Sequence, residues 1–531
     1  MRPRREPWFG PRWAALVAVA GGLLAILAFP PYGFWPAAIP SVALLSVAVS
    51  GRRARTAAWL GYLYGAAFMV PLLHWTGIYV GPVPWLILSL AEAGFFALLG
   101  AVLVPLSRLR VGPVWVGAAW VLEEALRDRV PFGGFPWGRL AFSQAESPLR
   151  WFAALGGAPL VTFVVAVAGA GLAEAVHAGW PGHDYRRVGV GLAVAVLVPV
   201  LGGVLSAPLS PAPYDSGRTL TVAVIQGGLP DLGLQFETRP RQVLDNHVAQ
   251  TLKLAAEVKA GKVKRPDLVL WPENSSDIDP YRDPSVRAEI DGAVKAIGAP
   301  VLVGAILQND SYTQRSNVGI LWSPTTGPGA TYTKRHPVPF AEYIPLRGLA
   351  QLVSSDAKTV EDMVSGSGNG LLLGGPAPIG DVICFEVAYD GLVRSSVAAG
   401  AQLLVVQTNN ATFGHTAETY QQLAMAQLRA VETGRTVVQA ATTGKSAVIG
   451  PDGGIRDESG PLYSSDILVD TVPLRTGLTL ATRVGAWPEY LLSALAAAGV
   501  IGVVVTQRRG RRSTVEEPPP AESAAEEMVK A

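Results

Sequence analysis

The chain has 531 residues, 50% of them hydrophobic and only 16% charged. Soluble domains run nearer a quarter charged, so a disordered chain, a collagen-like fibre and a simple soluble enzyme are excluded. The 43 basic and 41 acidic side chains nearly cancel, which points to no nucleic-acid partner, and the single cysteine, Cys384, excludes an internal disulfide framework and a Cys-rich zinc site.

Seven apolar stretches precede residue 210: Trp13–Phe29, Phe34–Ser50, Ala57–Leu73, Val83–Leu106, Val111–Leu122, Trp151–Val176 and Val188–Leu205. An eighth, Tyr490–Thr506, lies near the C-terminus. A helix of about 20 apolar residues spans a bilayer core. Val111–Leu122 is short for that, but so many stretches in series, almost free of charge, argue against buried helices of a soluble core. The predicted frame is an α-helical polytopic membrane domain of about eight transmembrane helices. Seven of them fall within residues 1–215, and the eighth falls within 476–512.

Lys and Arg in the short loops set the orientation. Arg2, Arg4, Arg5 and Arg12 precede the first stretch, and Arg52, Arg53 and Arg55 follow the second. Arg108 and Arg110, Arg186 and Arg187, and Arg508, Arg509, Arg511 and Arg512 fall on the same side if all eight stretches cross. That side is the predicted cytoplasm, which puts the intervening soluble segment outside it. The fifth loop breaks the pattern with Arg127, Arg129, Arg139 and Arg150. Either these meet anionic head groups, or they pair locally with Glu123, Glu124, Asp128 and Glu146. Glu92, inside the fourth stretch, is a functional candidate or a paired packing residue. Residues 513–531 are acidic and rich in Pro and Ala, and are expected to be a disordered cytoplasmic tail.

Near residue 210 the composition changes at a Pro/Ser linker, SAPLSPAPYDSGR. From there strand and helix patterns alternate. Leu220–Gln226, Pro266–Trp271, Pro300–Leu307, Ser316–Ser323, Gly380–Cys384, Leu403–Gln407 and Thr436–Ala441 read as strands. Thr238–Lys259, Pro284–Ile297, Val393–Gly400 and Glu418–Thr433 read as helices, and a PDGG turn joins Ala447–Ile449 to Ile455. Such alternation predicts a layered α/β domain over residues 216–475.

Three polar residues follow apolar runs or turn-rich segments: Glu273 in LVLWPEN, Lys334 in YTKRHPVPF and Cys384 in VICFE. A thiol nucleophile needs a base and a charge environment that favours its thiolate. A carboxylate can take the proton, and a lysine can favour the thiolate and then steady an oxyanion. Each alone is weak: a lone cysteine is more often inert core, and Glu or Lys is usually solvated surface. The rival pairing, Cys384 with His415, lacks any flanking cysteine-protease signature. His336 reads as a neighbour that tunes the site or packs, and Asp277 and Asp279 read as turn residues.

WPE, K-x-x-x-V-P-F-x-E-Y-I-P and C-F-E together resemble the Glu-Lys-Cys pattern of the nitrilase, or carbon–nitrogen hydrolase, superfamily. PPYGFWP after the first span, GFPWGRLAFSQ in the fifth loop and NNATFG after LLVVQ narrow the resemblance to the apolipoprotein N-acyltransferase family. It covers nearly the whole chain except the acidic tail. The resemblance implies an extracytoplasmic nitrilase-like domain, an αββα sandwich, held at the cell membrane.

It implies Cys384 as nucleophile, Glu273 as general base and Lys334 as stabiliser of the oxyanion. Glu342 and Glu386 would support them, the Phe385 N–H would complete an oxyanion hole, and Asn317 matches a family asparagine. No cofactor or metal is implied. The acyl donor would be a phospholipid and the acceptor a diacylglyceryl apolipoprotein, served by a monomer. The apolar loop Ile344–Val353 would help keep water from the thioester. The family's pattern carries Tyr after the cysteine and Trp in N-D-x-W-F-G, where this chain has Phe385 and Thr412. A membrane-anchored amidase with water as acceptor is the competing enzyme. A transporter or receptor with a degenerate ectodomain is the non-enzymatic alternative, against which the intact Glu273, Lys334 and Cys384 argue.

Overall fold

Each of the eight apolar stretches forms a helix in the computed structural model: α1 (Pro11–Ala28), α2 (Ala38–Val49), α3 (Ala54–Leu72), α4 (Pro82–Leu106), α5 (Gly112–Arg127), α6 (Ala153–Gly179), α7 (Tyr185–Leu209) and, after the soluble part, α13 (Trp487–Ser513). The structure describes residues 6–179, 184–210, 216–229, 240–311, 313–348, 351 and 361–513. Arg2, Arg4 and Arg5, the middle of the Pro/Ser linker, part of Ile344–Val353 and the acidic tail lie outside the described residues.

Among the described residues, five helices are long and apolar enough to cross a membrane: Pro11–Ala28, Pro82–Leu106, Pro148–Gly179, Tyr185–Leu209 and Trp487–Arg508. Trp35–Val49 is apolar but short. α5 has 16 residues and ends in buried Glu123, Glu124 and Arg127. α3 spends its length on packing groups. A Cβ on Gly61 would stand 2.1 Å from the Phe96 carbonyl oxygen, and one on Gly100 2.2 Å from that of Ala57, so only glycines let α3 and α4 approach so closely. Tyr64 of α3 is fully buried and shares a 2.6 Å hydrogen bond with Ser41 of α2.

The soluble part holds two six-stranded sheets. Its strands are β1 (Thr219–Gln226), β2 (Leu268–Leu270), β3 (Val301–Gln308), β4 (Arg315–Ser323), β5 (Gly327–Thr333), β6 (Leu371–Leu372), β7 (Ile379–Ile383), β8 (Leu403–Thr408), β9 (Val437–Ala441), β10 (Ala447–Ile449), β11 (Ile455–Glu458) and β12 (Asp466–Pro473). One sheet runs β12-β1-β2-β3-β4-β5 and the other β11-β10-β9-β8-β7-β6. β1, β2 and β3 are parallel, as are β7, β8 and β9, and the flanking strands are antiparallel. β5, β6 and β12 carry no clear alternation in the sequence and emerge only as edge partners.

Val222, Leu270, Leu302, Ile379, Leu403 and Val438 fill the space between the sheets. α8 (Pro240–Lys259) and α9 (Pro284–Ile297) cover the first sheet through Leu244, Val286, Ile290 and Val294. α10 (Asp390–Ala398) and α11 (Glu418–Thr433) cover the second, giving αββα layers. A short α12 (Leu480–Val484) then leads to α13. The apolar cluster under α10 and α11 does not stop at the domain edge. Leu392, Val393, Leu423, Met425 and Leu428 share one core with Trp137, Phe142, Ala158 and Val161 of the membrane part. The second sheet's helices therefore seat the sandwich on the apolar helices.

Candidate active site

Three of the functional groups lie past the carboxyl ends of parallel strands, where open α/β sheets leave a crevice, and Lys334 follows an antiparallel edge strand. Glu273 lies just past β2, Lys334 just past β5, Cys384 directly after β7, and Asn409 directly after β8. Cys384 sits at φ +54°, a left-handed backbone that a non-glycine residue adopts at some cost. That turn ends β7 and starts a short 3-10 helix, Cys384–Ala388, which presents the sulfur at the sheet's edge.

The structure brings Glu273, Lys334 and Glu342 into one buried cluster. Lys334 Nζ lies 2.9 Å from Glu273 Oε1 and 2.8 Å from Glu342 Oε1. Asn317 Nδ2 donates to the same two oxygens, at 2.7 and 3.2 Å. The Asn409 N–H donates to Glu273 Oε2 at 2.9 Å, and the Val338 N–H to Glu342 Oε2 at 2.7 Å. Burial alone would pull the Lys334 ammonium down, but Glu273 and Glu342 outweigh it and hold Lys334 well above its usual value. Burial pushes the Cys384 thiol up, Glu273 adds to the rise and Lys334 opposes it. Burial and Glu273 thus favour the neutral thiol beside the Glu273–Lys334 ion pair.

Glu386 is a tie rather than a participant. Its carboxylate accepts from Ile383 N at 2.8 Å, Arg335 N at 2.6 Å, His336 N at 3.2 Å and Tyr332 Oη at 3.0 Å. It fastens the lysine loop to the cysteine turn. Phe385 faces the other way. Its ring stacks on Trp137 at 5.9 Å and on Phe135 at 5.6 Å, both from the fifth membrane loop, and meets Tyr389 edge-on at 5.4 Å. Phe413, next to Thr412, packs edge-on against Trp75 at 5.1 Å. Phe385, and Phe413 beside Thr412, thus lie along the seam with the membrane part.

His415 packs at a tilt against Tyr463, 5.1 Å between ring centres, and is not among the hydrogen-bond partners of the thiol. His336 packs edge-on against Tyr389 at 4.3 Å, and burial, with Arg335 and Lys334, lowers its pKa to about 4. Asp279 accepts from the Tyr281 and Gln308 N–H groups, as a turn residue does.

Three of the four fifth-loop arginines are ion-paired with nearby carboxylates. Arg127 meets Glu123 and Glu92, Arg139 meets Glu124, Asp128 and Asp390, and Arg129 meets Glu489. Arg150 lies over the Trp151 ring and donates to the Ala145 carbonyl. Glu92 is thus a partner of Arg127 in the packing.

Sequence reasoning missed four polar residues beside the thiol. Thr408 Oγ1 lies 3.4 Å and Gln422 Nε2 3.6 Å from Cys384 Sγ, and these are the sulfur's hydrogen-bond partners among the described residues. Behind them stand Asn410 and Glu418. Glu418 and Gln422 are on α11, whose pattern reads simply as an amphipathic helix. The signal that could have flagged them is the run of uncharged polar residues on a face that must be buried.

The αββα layers with a buried Glu-Lys-Cys set define a carbon–nitrogen hydrolase-type domain seated on apolar helices. Residues 221–476 match the carbon-nitrogen hydrolase family, and residues 21–171 match the apolipoprotein N-acyltransferase N-terminal domain. The apolipoprotein N-acyltransferase of Mycolicibacterium smegmatis is 42% identical over 511 residues, covering 92% of this chain and 84% of its own. That of Gloeobacter violaceus is 32% identical, covering 94% and 96%. Among solved structures, an amidase of the nitrilase superfamily from Nesterenkonia AN1 is 20% identical and covers 52% of this chain and 95% of its own, with a TM-score of 0.38. The chain belongs to the apolipoprotein N-acyltransferase family and is a membrane acyltransferase.

Proposed function

We propose that this enzyme moves a fatty acyl group from a membrane phospholipid, through a thioester on Cys384, to the α-amino group of the diacylglyceryl cysteine that begins an apolipoprotein. One observation carries the reading. A buried Lys334–Glu273 ion pair stands at a single thiol, in a domain whose core continues into apolar helices. A neutral thiol at rest needs its proton removed as it attacks, and Glu273 is the carboxylate placed to take it. Lys334 then faces the oxyanion, and the N–H of Phe385, the second residue of the 3-10 turn, is the second donor. The ester bond breaks, the proton that Glu273 took passes to the departing oxygen, and a lysophospholipid leaves. The acceptor amine next attacks the thioester, and the thiol re-forms.

The uneven placement of Lys and Arg supports eight crossings, with the catalytic layers on the extracytoplasmic side and the C-terminal tail inside. We assign residues 1–215 and 476–512 to the membrane, 216–475 to catalysis, and place the site in a monomer. Glu342 and Asn317 serve as supports for the ion pair. The relatives' common name, and a seat among apolar helices that a small-amide hydrolase would not need, favour transfer over the amidase alternative.

The test is the intact mass of the detergent-solubilised protein after incubation with phospholipid. One acyl chain should appear on wild type and be absent from Cys384→Ala, with release of lysophospholipid in equal amount. An adduct that persists in Cys384→Ala would overturn the mechanism.

A further inference from the structure

The thiol's other side is lined by groups with no part in the Glu-Lys-Cys scheme. Thr408 and Gln422 are fully buried, and Asn410 and Glu418 nearly so. They form one chain of hydrogen bonds. Gln422 Oε1 accepts from Thr408 Oγ1 at 2.8 Å and from Asn410 Nδ2 at 3.1 Å, and Asn410 Nδ2 also donates to Glu418 Oε2 at 2.8 Å. With its oxygen committed to two donors, the Gln422 amide has one orientation, and its NH₂ points at the sulfur.

We propose that Thr408 and Gln422 are further catalytic residues: a pair of neutral donors that receives the Cys384 thiolate, held in place by Asn410 and Glu418. The chemistry follows from counting protons. The Thr408 hydroxyl has one hydrogen and two acceptors within reach, Gln422 Oε1 at 2.8 Å and Cys384 Sγ at 3.4 Å. Beside a thiol, which needs no donor, that hydrogen rests on Gln422. When Glu273 removes the thiol proton, the hydroxyl turns to the sulfur without any heavy atom moving. The Gln422 N–H, at 3.6 Å, is the second donor. Burial and the Glu273 charge both oppose a thiolate here, and Lys334 is the cation against them. Lys334 is already shared between Glu273 and Glu342, so donors on the far side have a clear role. The charged or titratable groups that face the sulfur are Glu273 beyond β2, Lys334 beyond β5 and Glu418 on α11.

This inference rests on Cys384 being the nucleophile, but its test needs no lipid. Iodoacetamide alkylation of the full-length protein in detergent, followed by intact mass across pH, reads the thiolate fraction directly. Thr408→Val keeps the shape and removes the hydroxyl. Gln422→Glu keeps the oxygen that Thr408 and Asn410 use and replaces the donor. In each, the alkylation profile should move to higher pH, and the rate at pH 8 should fall about tenfold, the factor set by one pKa unit. Thr408→Ser, which keeps the hydroxyl, should restore most of the rate. If the Thr408→Val profile lies on that of wild type, the donor pair is wrong, whether or not Gln422→Glu folds. If wild type forms the acyl adduct while the profiles coincide, this inference alone fails. If the profiles shift but no acyl adduct ever forms, the donor pair stands and the acyl-transfer reading falls.

Discussion

Glu386→Gln is the sharpest test of how the site is assembled, because the substitution keeps the shape and changes only what the group accepts. The carboxylate takes three backbone N–H groups and one phenol: Ile383 on one oxygen, Arg335 and His336 on the other, and Tyr332 across both. A glutamine has one acceptor oxygen. Whichever side it serves, its NH₂ confronts a backbone N–H on the other. A hydrogen bond to a charged acceptor contributes about 1.5–3 kcal/mol, and a buried donor left without a partner costs about 1–3 kcal/mol. Burial already pushes the Glu386 carboxyl up, so losing its charge returns part of that sum. The net is on the order of 2–4 kcal/mol, concentrated in the tie between the lysine loop and the cysteine turn. If that tie fixes Lys334 relative to Cys384, acyl-enzyme formation should slow by roughly 10²-fold, since about 1.4 kcal/mol is a factor of ten. The assay is the rate of the acyl adduct by intact mass, beside the melting temperature. A melting temperature that falls while the rate stays within threefold of wild type would refute the positioning argument and leave Glu386 as a purely structural group.

Two further outcomes are expected. Glu418 has its pKa raised to about 8, first by burial and then by Glu273. Its neutral form is the one the fold favours, so it carries no penalty below the ordinary carboxylate range, and stability is lost as pH rises through about 8. The full effect is on the order of 4 kcal/mol, so Glu418→Gln should melt well above wild type at pH 9 and close to it at pH 5; parallel melting curves would contradict it. The orientation predicts that a membrane-impermeant maleimide reaches Cys384 from outside intact protoplasts, with a denatured control for its burial, and that external protease removes the soluble domain and spares the tail. Labelling only after lysis, with loss of the tail instead, would invert the topology.

The placement of the candidate site was legible in the sequence where strands end in polar residues. Glu273 after LVLW and Cys384 after DVI follow directly from apolar runs that must stop at a surface or a site. Glu342 and Glu386 were visible only through a family pattern, because Glu342 works on the side chains of Lys334 and Asn317, and Glu386 works largely on the Arg335 and His336 N–H groups far away in sequence. Thr408, Asn410, Glu418 and Gln422 were not visible. A threonine at a strand end and a glutamine on a helix have no signature until the sheet and α11 close on the same sulfur. The edge strands β5, β6 and β12 were missed for a related reason: each is specified by the neighbour it pairs with, not by its own alternation. The arginines of the fifth loop stood out because they broke the charge pattern, but their partners include Asp390, on α10 of the other domain, which no loop-by-loop count could supply.

That last cluster explains why the site needs its frame in one orientation. Arg139 from the fifth loop lies 2.9 Å from Asp390, and Arg429 of α11 lies 2.7 Å from the same oxygen. Burial alone would push the Asp390 carboxyl up, but the two arginines hold it well below the usual carboxylate range. Buried ions are a poor source of net stability, since desolvation costs about as much as the pairing returns. The apolar core across the seam already supplies attraction, but burial of apolar area is non-directional and would tolerate small rotations of one part on the other. Ions without water tolerate none, because any slip leaves a charge unpaired. Asp390 lies six residues past Cys384, and α11 sends Gln421 to the Trp137 indole and the adjacent Gln422 to the sulfur. The contacts that seat the sandwich on the membrane helices are therefore made by the same short segments that hold Cys384. The position of the thiol is thus set from the membrane side as much as from the sheet.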